Sequence, residues 1–109
     1  MRAGRLDRMV QVLRAAVVDD EMQARFGALA PLGAPIPAEK ADISDGERFR
    51  SGGVDAALST RFTVRFNALS ASILTSDRLE CEGRIYEIVG IKDVGGRRRA
   101  LEISARRAH

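Results

Sequence analysis

Few residues in this chain are equipped for covalent chemistry. The only histidine, His109, is the final residue, where order is least expected. A Ser/His or Cys/His dyad needs an imidazole held within hydrogen-bond reach of its nucleophile, so neither is expected. The same placement removes the usual imidazole-based metal site. The single cysteine, Cys81, excludes an internal disulfide and any cysteine-built metal cluster. It lies between Leu79 and Gly83 in an alternating stretch, which predicts a buried free thiol. Asp19, Asp20 and Glu21 are adjacent; on a strand they would face alternately and on a turn they would be solvated, so a solvated acidic loop is expected rather than a cation site. Glu80, Glu82 and Glu87 lie across Gly83 and fit the exposed face of a hairpin. Gly52, Gly53, Gly95 and Gly96 match neither the phosphate-binding loop nor the dinucleotide fingerprint. The expectation is a protein without catalytic activity, cofactor or metal.

The basic residues are the more informative group. Net charge is only +3, but the arginines are unevenly placed. Arg2, Arg5 and Arg8 stand near one end of the sequence, and Arg97, Arg98, Arg99, Arg106 and Arg107 near the other. Clustered guanidinium groups can follow phosphates or meet an acidic partner surface, and they also serve as solvated faces. Arg97-Arg98-Arg99 follows Gly95-Gly96 directly. On a strand, Arg97 and Arg99 would share one face while Arg98 faces the other; contact with DNA phosphates or an acidic partner surface is one reading of the run, and a merely exposed hairpin end the other. No aromatic residues are interleaved with them to stack bases, which argues against sequence reading or single-strand binding.

The elements that would position these groups are strands. Met9 to Ala15 reads as a first strand, with Val10 and Val12 on one face, and Val17 to Glu21 as a turn. From Met22 to Ala41 the pattern is broken by Gly27, Pro31, Gly33, Pro35 and Pro37, and an irregular edge strand describes it best. Ser44 with Glu47 three residues on fits a capping box opening one short helix that Gly52 and Gly53 would end; a mobile loop over 45–60 is the near-equal alternative. Arg61 to Phe66 alternates strictly, placing Phe62, Val64 and Phe66 inside. Leu79–Cys81 and Arg84–Val89 are joined by Glu82-Gly83, a tight hairpin turn that needs positive φ, with Ile85 and Ile88 assigned to the core. Asp93-Val94-Gly95-Gly96 is a second turn, and Ala100–Ser104 the closing strand. Short strands with Gly-rich turns predict an all-β fold, a small barrel or sandwich of about six strands.

At 109 residues the chain holds one domain, which buries roughly 60–70% of its unfolded surface. With no Trp, one Tyr and four Phe, its core is built from small residues, and assembly would add burial. No segment reaches the ~18 apolar residues that span a bilayer, and the N-terminal charges are followed by no apolar stretch of the kind that marks a signal peptide. A cytoplasmic site of synthesis is expected.

Three stretches together resemble the phage head–tail joining proteins, the head-closure or stopper family. These are the opening Met1-Arg2-Ala3-Gly4-Arg5-Leu6-Asp7-Arg8, then Ser44-Asp45-Gly46-Glu47-Arg48-Phe49, and a C-terminal block. That block comprises Arg61–Phe66, Asp77-Arg78-Leu79, Gly83–Ile88 and Gly96-Arg97-Arg98-Arg99. Their order agrees with the family almost end to end. Between Phe26 and Ala41 the chain departs from it, with Ala, Gly and three prolines where the family carries Trp and another aromatic.

The resemblance implies a β-barrel with an N-terminal arm over 1–8 that assembles into a homo-oligomeric ring, a hexamer, at the head–tail junction. Its implied neighbours are the portal–adaptor ring on one side and a tail terminator or tail tube protein on the other. Double-stranded DNA would pass through the channel without sequence-specific contacts, and no membrane is involved. The resemblance assigns the channel loop to Phe49, Arg50, Ser51, Gly52, Gly53, Val54 and Asp55. Arg2, Arg5, Arg97, Arg98 and Arg99 are the expected contacts to partner or DNA. The particle could be an infectious phage, a prophage product or a gene transfer agent. Competing readings are a tail terminator or tail completion ring, and a monomeric OB-like or SH3-like binding module, which a basic surface stripe on a stable monomer would favour.

Overall fold

The computed structural model describes residues 6–20, 23–43 and 60–108. Within them seven strands run in the order β1 (Arg8–Asp20), β2 (Gln23–Pro31), β3 (Ile36–Asp42), β4 (Thr60–Arg65), β5 (Arg78–Cys81), β6 (Arg84–Asp93) and β7 (Ala100–Arg107). Among the described residues a four-residue helix, α1 (Ala68–Ala71), follows β4, and a 3-10 turn, Val94–Gly96, precedes β7. Every pairing is antiparallel, and six strands close on themselves in the order β1-β3-β4-β7-β6-β5 and back to β1. The result is a closed six-stranded antiparallel barrel, which leaves no unpaired edge in its wall. The seventh strand, β2, pairs only with β1 and lies outside the barrel.

Alternation along each strand fills the interior. Phe62 and Val64 from β4, Leu79 and Cys81 from β5, Tyr86 and Ile88 from β6, and Leu101, Ile103 and Ala105 from β7 form the core with Val10, Val12, Ile36 and Ala38. The rings of Phe62 and Tyr86 meet edge to face, centroids 5.1 Å apart, a favoured aromatic geometry. Ile73, beyond α1, is buried with this core, and Leu32 and Leu69 pack against it. Of the residues assigned to the core from sequence, Phe62, Val64 and Ile88 are inside. Phe66 is only partly buried, because β4 ends at Arg65. Ile85 is half-buried on the outer side, since Tyr86 and Ile88 take the inward positions of β6; two residues three apart on a regular strand cannot share a face.

Three further expectations change. β1 does not stop at Ala15 but continues to Asp20, so the acidic pair Asp19 and Asp20 sits on a strand paired with Ala24 and Gln23. The stretch from Met22 to Ala41 is two strands rather than one irregular edge. Pro31 closes β2, and Pro37 lies where β3 is paired with β1 but not yet with β4, whose pairing starts at Ala38; a residue without an N–H is tolerated where one side of the ladder is open. The helix expected at Ser44 falls outside the described residues, while the described helix stands at Ala68–Ala71. There Asn67 accepts from the Ser70 backbone N–H at 2.8 Å and the Ser70 hydroxyl accepts from the Asn67 N–H at 2.9 Å, a reciprocal cap of the first turn.

Candidate functional site

Strand direction fixes the two ends of the barrel. β1 enters at Arg8, beside Ala38 of β3; β3 leaves at Asp42, beside Thr60, where β4 begins. The last residue of β7, Arg107, lies beside Tyr86 near the start of β6. At the opposite end are Arg65, Ala100, Asp93 and Leu13, and there β1 leaves the wall to pair with β2. The segments that hold Arg2, Arg5 and the 49–55 stretch are outside the described residues, but the described chain adjoining them, at Arg8, Asp42 and Thr60, is all at the first end. Arg97, Arg98 and Arg99 belong to the second.

The β6–β7 connection shows how the arginines are held. Gly95 and Gly96 have φ of 77° and 66°, and Arg98 adopts φ 53°, a left-handed conformation that disfavours most side chains. It is stabilised by the Asp93 carboxylate, which accepts from the Arg98 backbone N–H at 3.1 and 3.3 Å. The Arg99 carbonyl accepts from Phe66 N–H at 2.9 Å, anchoring the far side of the turn to the end of β4. The three arginines are thus on an exposed, closely turned segment before β7 starts at Ala100, not on a strand. The placement on a strand, with Arg97 and Arg99 sharing a face, is therefore corrected.

Their electrostatic setting differs from that of the arginines on the barrel wall. On the wall Arg106 meets Glu87 at 2.8 Å and Arg61 meets Glu102 at 3.2 Å, with Lys92 3.8 Å from Glu102. At the first end Arg8 meets Glu82 at 2.8 Å and Asp7 at 3.3 Å. No carboxylate among the described residues pairs with the side chains of Arg97, Arg98 or Arg99. Three adjacent cations repel one another, which the Asp93 carboxylate at the Arg98 N–H offsets in part, and a further anionic group would relieve it.

A second polar cluster braces the same end. Asp77, 1% exposed, accepts from Arg14 Nε and Nη2, each at 2.9 Å, and from the Leu74 N–H at 2.8 Å. Arg14 also donates to the Ser72 carbonyl at 2.9 Å. Burial by itself would raise the Asp77 carboxyl, but the Arg14 and Leu74 hydrogen bonds and the charges of Arg14 and Arg78 hold it below the ordinary carboxylate range. The hydrogen bond to Asp77 correspondingly raises Arg14. This pair ties the α1–β5 connection to β1 at the point where β1 leaves the barrel. Sequence reading missed the pair; its signal is the Asp preceding a strand, whose carboxylate turns back onto a backbone N–H three residues earlier.

Among the described residues no three metal-ligating side chains come together. Cys81 is a buried free thiol, as its place in the alternation predicts, and burial pushes it up from its ordinary value. An open groove of about 710 Å³ crosses the outer face of β5 and β6, with Arg78, Arg84 and Arg107 around Leu29, Ile85 and Glu87. No described helix is long and apolar enough to cross a membrane. Exposed cations on a rigid frame are what the surface offers, and they suit binding.

Comparison with known proteins agrees with the geometry. A protein of Shigella flexneri 2a solved in solution superimposes with a TM-score of 0.76 at 21% identity, covering 99% of this chain and 97% of its own. A chain in the virion of a native gene transfer agent particle superimposes with a TM-score of 0.60 at 18% identity, covering 94% of each. At these identities the likeness is one of fold. No curated protein matches the sequence. The sequence profile of the phage head completion protein matches residues 1–108, and on that match over essentially its whole length the chain belongs to the phage head completion protein family.

Proposed function

We propose that copies of this chain form a ring at the head–tail junction of a phage or phage-derived particle, joining the portal–adaptor complex to the tail and retaining or gating the packaged DNA. The observation that carries this is family membership over the whole chain. A closed barrel whose two ends present different groups suits a connector with distinct upper and lower neighbours. The fold likeness to a chain of a gene transfer agent virion supports placing it in such a particle. The ring is hexameric, assembles in the host cytoplasm, and encloses double-stranded DNA that it contacts without reading sequence. Arg97, Arg98 and Arg99, together with Arg2 and Arg5, contact partner subunits or DNA phosphates. Residues Phe49 to Asp55 line the channel. A modest positive surface favours passage, since each tight phosphate contact adds affinity that sliding must overcome.

The test is a deletion strain examined by electron microscopy, with labelled protein supplied in trans. Label in a ring at the junction, and tailless, DNA-leaking heads in its absence, is the expected result. Normal tailed particles without the protein would overturn the assignment. Intact full heads beside tails of uncontrolled length would instead make it a tail terminator.

A further inference from the structure

Three arginines surround a concave, partly apolar surface on the outside of the barrel. Because Tyr86 and Ile88 point inward from β6, Ile85 is turned out and left half-buried. With Ala108 and Leu29 of β2, which is 43% exposed, it forms the apolar floor of the groove over β5 and β6. The Ala108 N–H donates to the Ile85 carbonyl at 3.0 Å, carrying the chain beyond β7 along this floor. Arg78, Arg84 and Arg107 stand around it. Arg84 follows the Glu82-Gly83 turn and Arg107 ends β7, so the groove opens at the end of the barrel opposite the Arg97–Arg99 turn.

The charges around the floor indicate what it takes. Arg78 donates through Nη1 to the Ser76 and Asp77 carbonyls at 3.1 and 3.2 Å, which holds its head group in place. Arg84 and Arg107 are exposed and make no hydrogen bond or ion pair with their side chains among the described residues. Three carboxylates are close by. Glu87 lies in the groove and is engaged by Arg106 at 2.8 Å. Glu82, beside Gly83, is engaged by Arg8 at 2.8 Å. Glu80, exposed, stands across the ladder from Ile85. Three guanidiniums against one engaged carboxylate still leave the lining cationic. Guanidiniums around an apolar floor complement carboxylates that flank an apolar side chain. Duplex DNA would reach the arginine heads with its phosphates and leave the apolar floor uncovered. The groove offers no aromatic ring on which a single strand could stack.

We propose that this groove seats an extended acidic segment, with an apolar side chain between its carboxylates, from the protein that neighbours this end of the barrel. The proposal rests on the junction reading above and specifies the chemistry of one neighbour. Ile85, Leu29 and Ala108 supply the buried contact, while Arg84 and Arg107 are placed to close on the carboxylates and so to select an acidic partner over a basic one.

Fluorescence anisotropy with the purified full chain tests the groove, using as probe a labelled peptide of alternating glutamate and leucine. The peptide binds wild type in the micromolar range, and an all-glutamate peptide of equal length binds about ten-fold more weakly, having nothing to bury on the floor. Arg84→Glu and Arg107→Glu each weaken the first peptide about ten-fold or more. Arg65→Glu, an identical charge change on β4, moves it by less than about two-fold. Thermal unfolding of each variant at the wild-type midpoint shows that the losses are local. Equal effects of all three substitutions, or equal binding of the two peptides, would overturn the groove in favour of diffuse charge. A short DNA duplex that binds through Arg84 and Arg107 while the glutamate–leucine peptide does not would overturn it in favour of nucleic acid. Self-association of wild type in sedimentation, abolished by Arg84→Glu, would make the occupant a second copy and equally overturn it. In particles, the Arg84→Glu, Arg107→Glu double variant lowers the yield of tailed, DNA-filled particles about ten-fold. Wild-type yield from a variant that no longer binds the peptide would overturn the groove as an assembly contact and leave the junction reading standing. Normal particles in the complete absence of the protein would overturn the junction reading itself.

Discussion

Tyr86 carries the one buried hydroxyl that the core leaves unanswered among the described residues: the residue is 0% exposed and its OH has no hydrogen-bond partner. An unpartnered buried hydroxyl costs about 1–3 kcal/mol relative to one in water, while the ring itself packs edge to face on Phe62. Tyr86→Phe keeps the ring and removes the orphan group, so it should be neutral or stabilising by up to about 1 kcal/mol, read as an unchanged or higher urea midpoint. A clear loss would show that the hydroxyl has a partner. Asp77 behaves in the opposite sense. Arg14→Ala strands a buried carboxylate and should cost about 2–3 kcal/mol at pH 7, below the range for fully buried pairs because Arg14 is 38% exposed. Since the folded state holds the Asp77 carboxyl below its ordinary 3.8, the unfolded chain binds its proton first as pH falls. The pair's contribution is present above about pH 5 and is lost as pH falls through 3.8 towards the lower folded value. The gap between wild type and Arg14→Ala should therefore narrow between pH 5 and pH 3 in denaturation curves; a gap independent of pH would place the cost elsewhere.

Elements were legible where burial is one-sided and turns demand a particular backbone. β4 and the β5–β6 hairpin follow from strict alternation and from Glu82-Gly83, and the structure gives those residues φ of 53° and 79°. A Cβ at Gly83 meets nothing within 4 Å, so Gly83→Ala tests the backbone alone. It should destabilise by about 1–2 kcal/mol, the penalty for an alanine in the left-handed region, without altering assembly of the protein that does fold. A neutral result would mean that the turn rearranges. The outer half of β1 was not legible because Asp19-Asp20 reads as a turn, Asp being disfavoured in strands. The helix was missed because the four residues Ala68–Ala71 are too few to show a period. Assigning Ile85 to the core ignored its three-residue spacing from Ile88. At the site, the sequence located the arginine turn but not its conformation, because Gly95, Gly96 and Arg98 coil the chain where a continuous strand was one option. The Arg14–Asp77 brace joins residues 63 positions apart, a pairing that only the closed barrel brings together.

At the scale of the whole molecule, stability and the proposed function place different demands on the same arginines. The barrel closes through β1–β5 pairing and owes its integrity to the core, to which Arg97, Arg98 and Arg99 contribute nothing, being exposed and without carboxylate partners among the described residues. Replacing all three by alanine should leave the isolated subunit within about 0.5 kcal/mol of wild type, the usual range for surface changes away from caps and cores. It should also remove the unfavourable proximity of three cations, so the small shift is expected towards greater stability. Association is another matter. Charge attraction between exposed groups weakens with salt over a Debye length of about 8–10 Å. Wild-type assembly onto completed heads should therefore fall steeply between low and high salt, and the alanine variant should assemble poorly with a shallow salt dependence. The measurement is the fraction of heads that acquire the protein across a salt series, set beside thermal unfolding of each free subunit. A variant that unfolds early would make the arginines part of the fold. One that assembles with undiminished salt sensitivity would move the contact to another basic surface, of which the groove bearing Arg78, Arg84 and Arg107 is the nearest alternative.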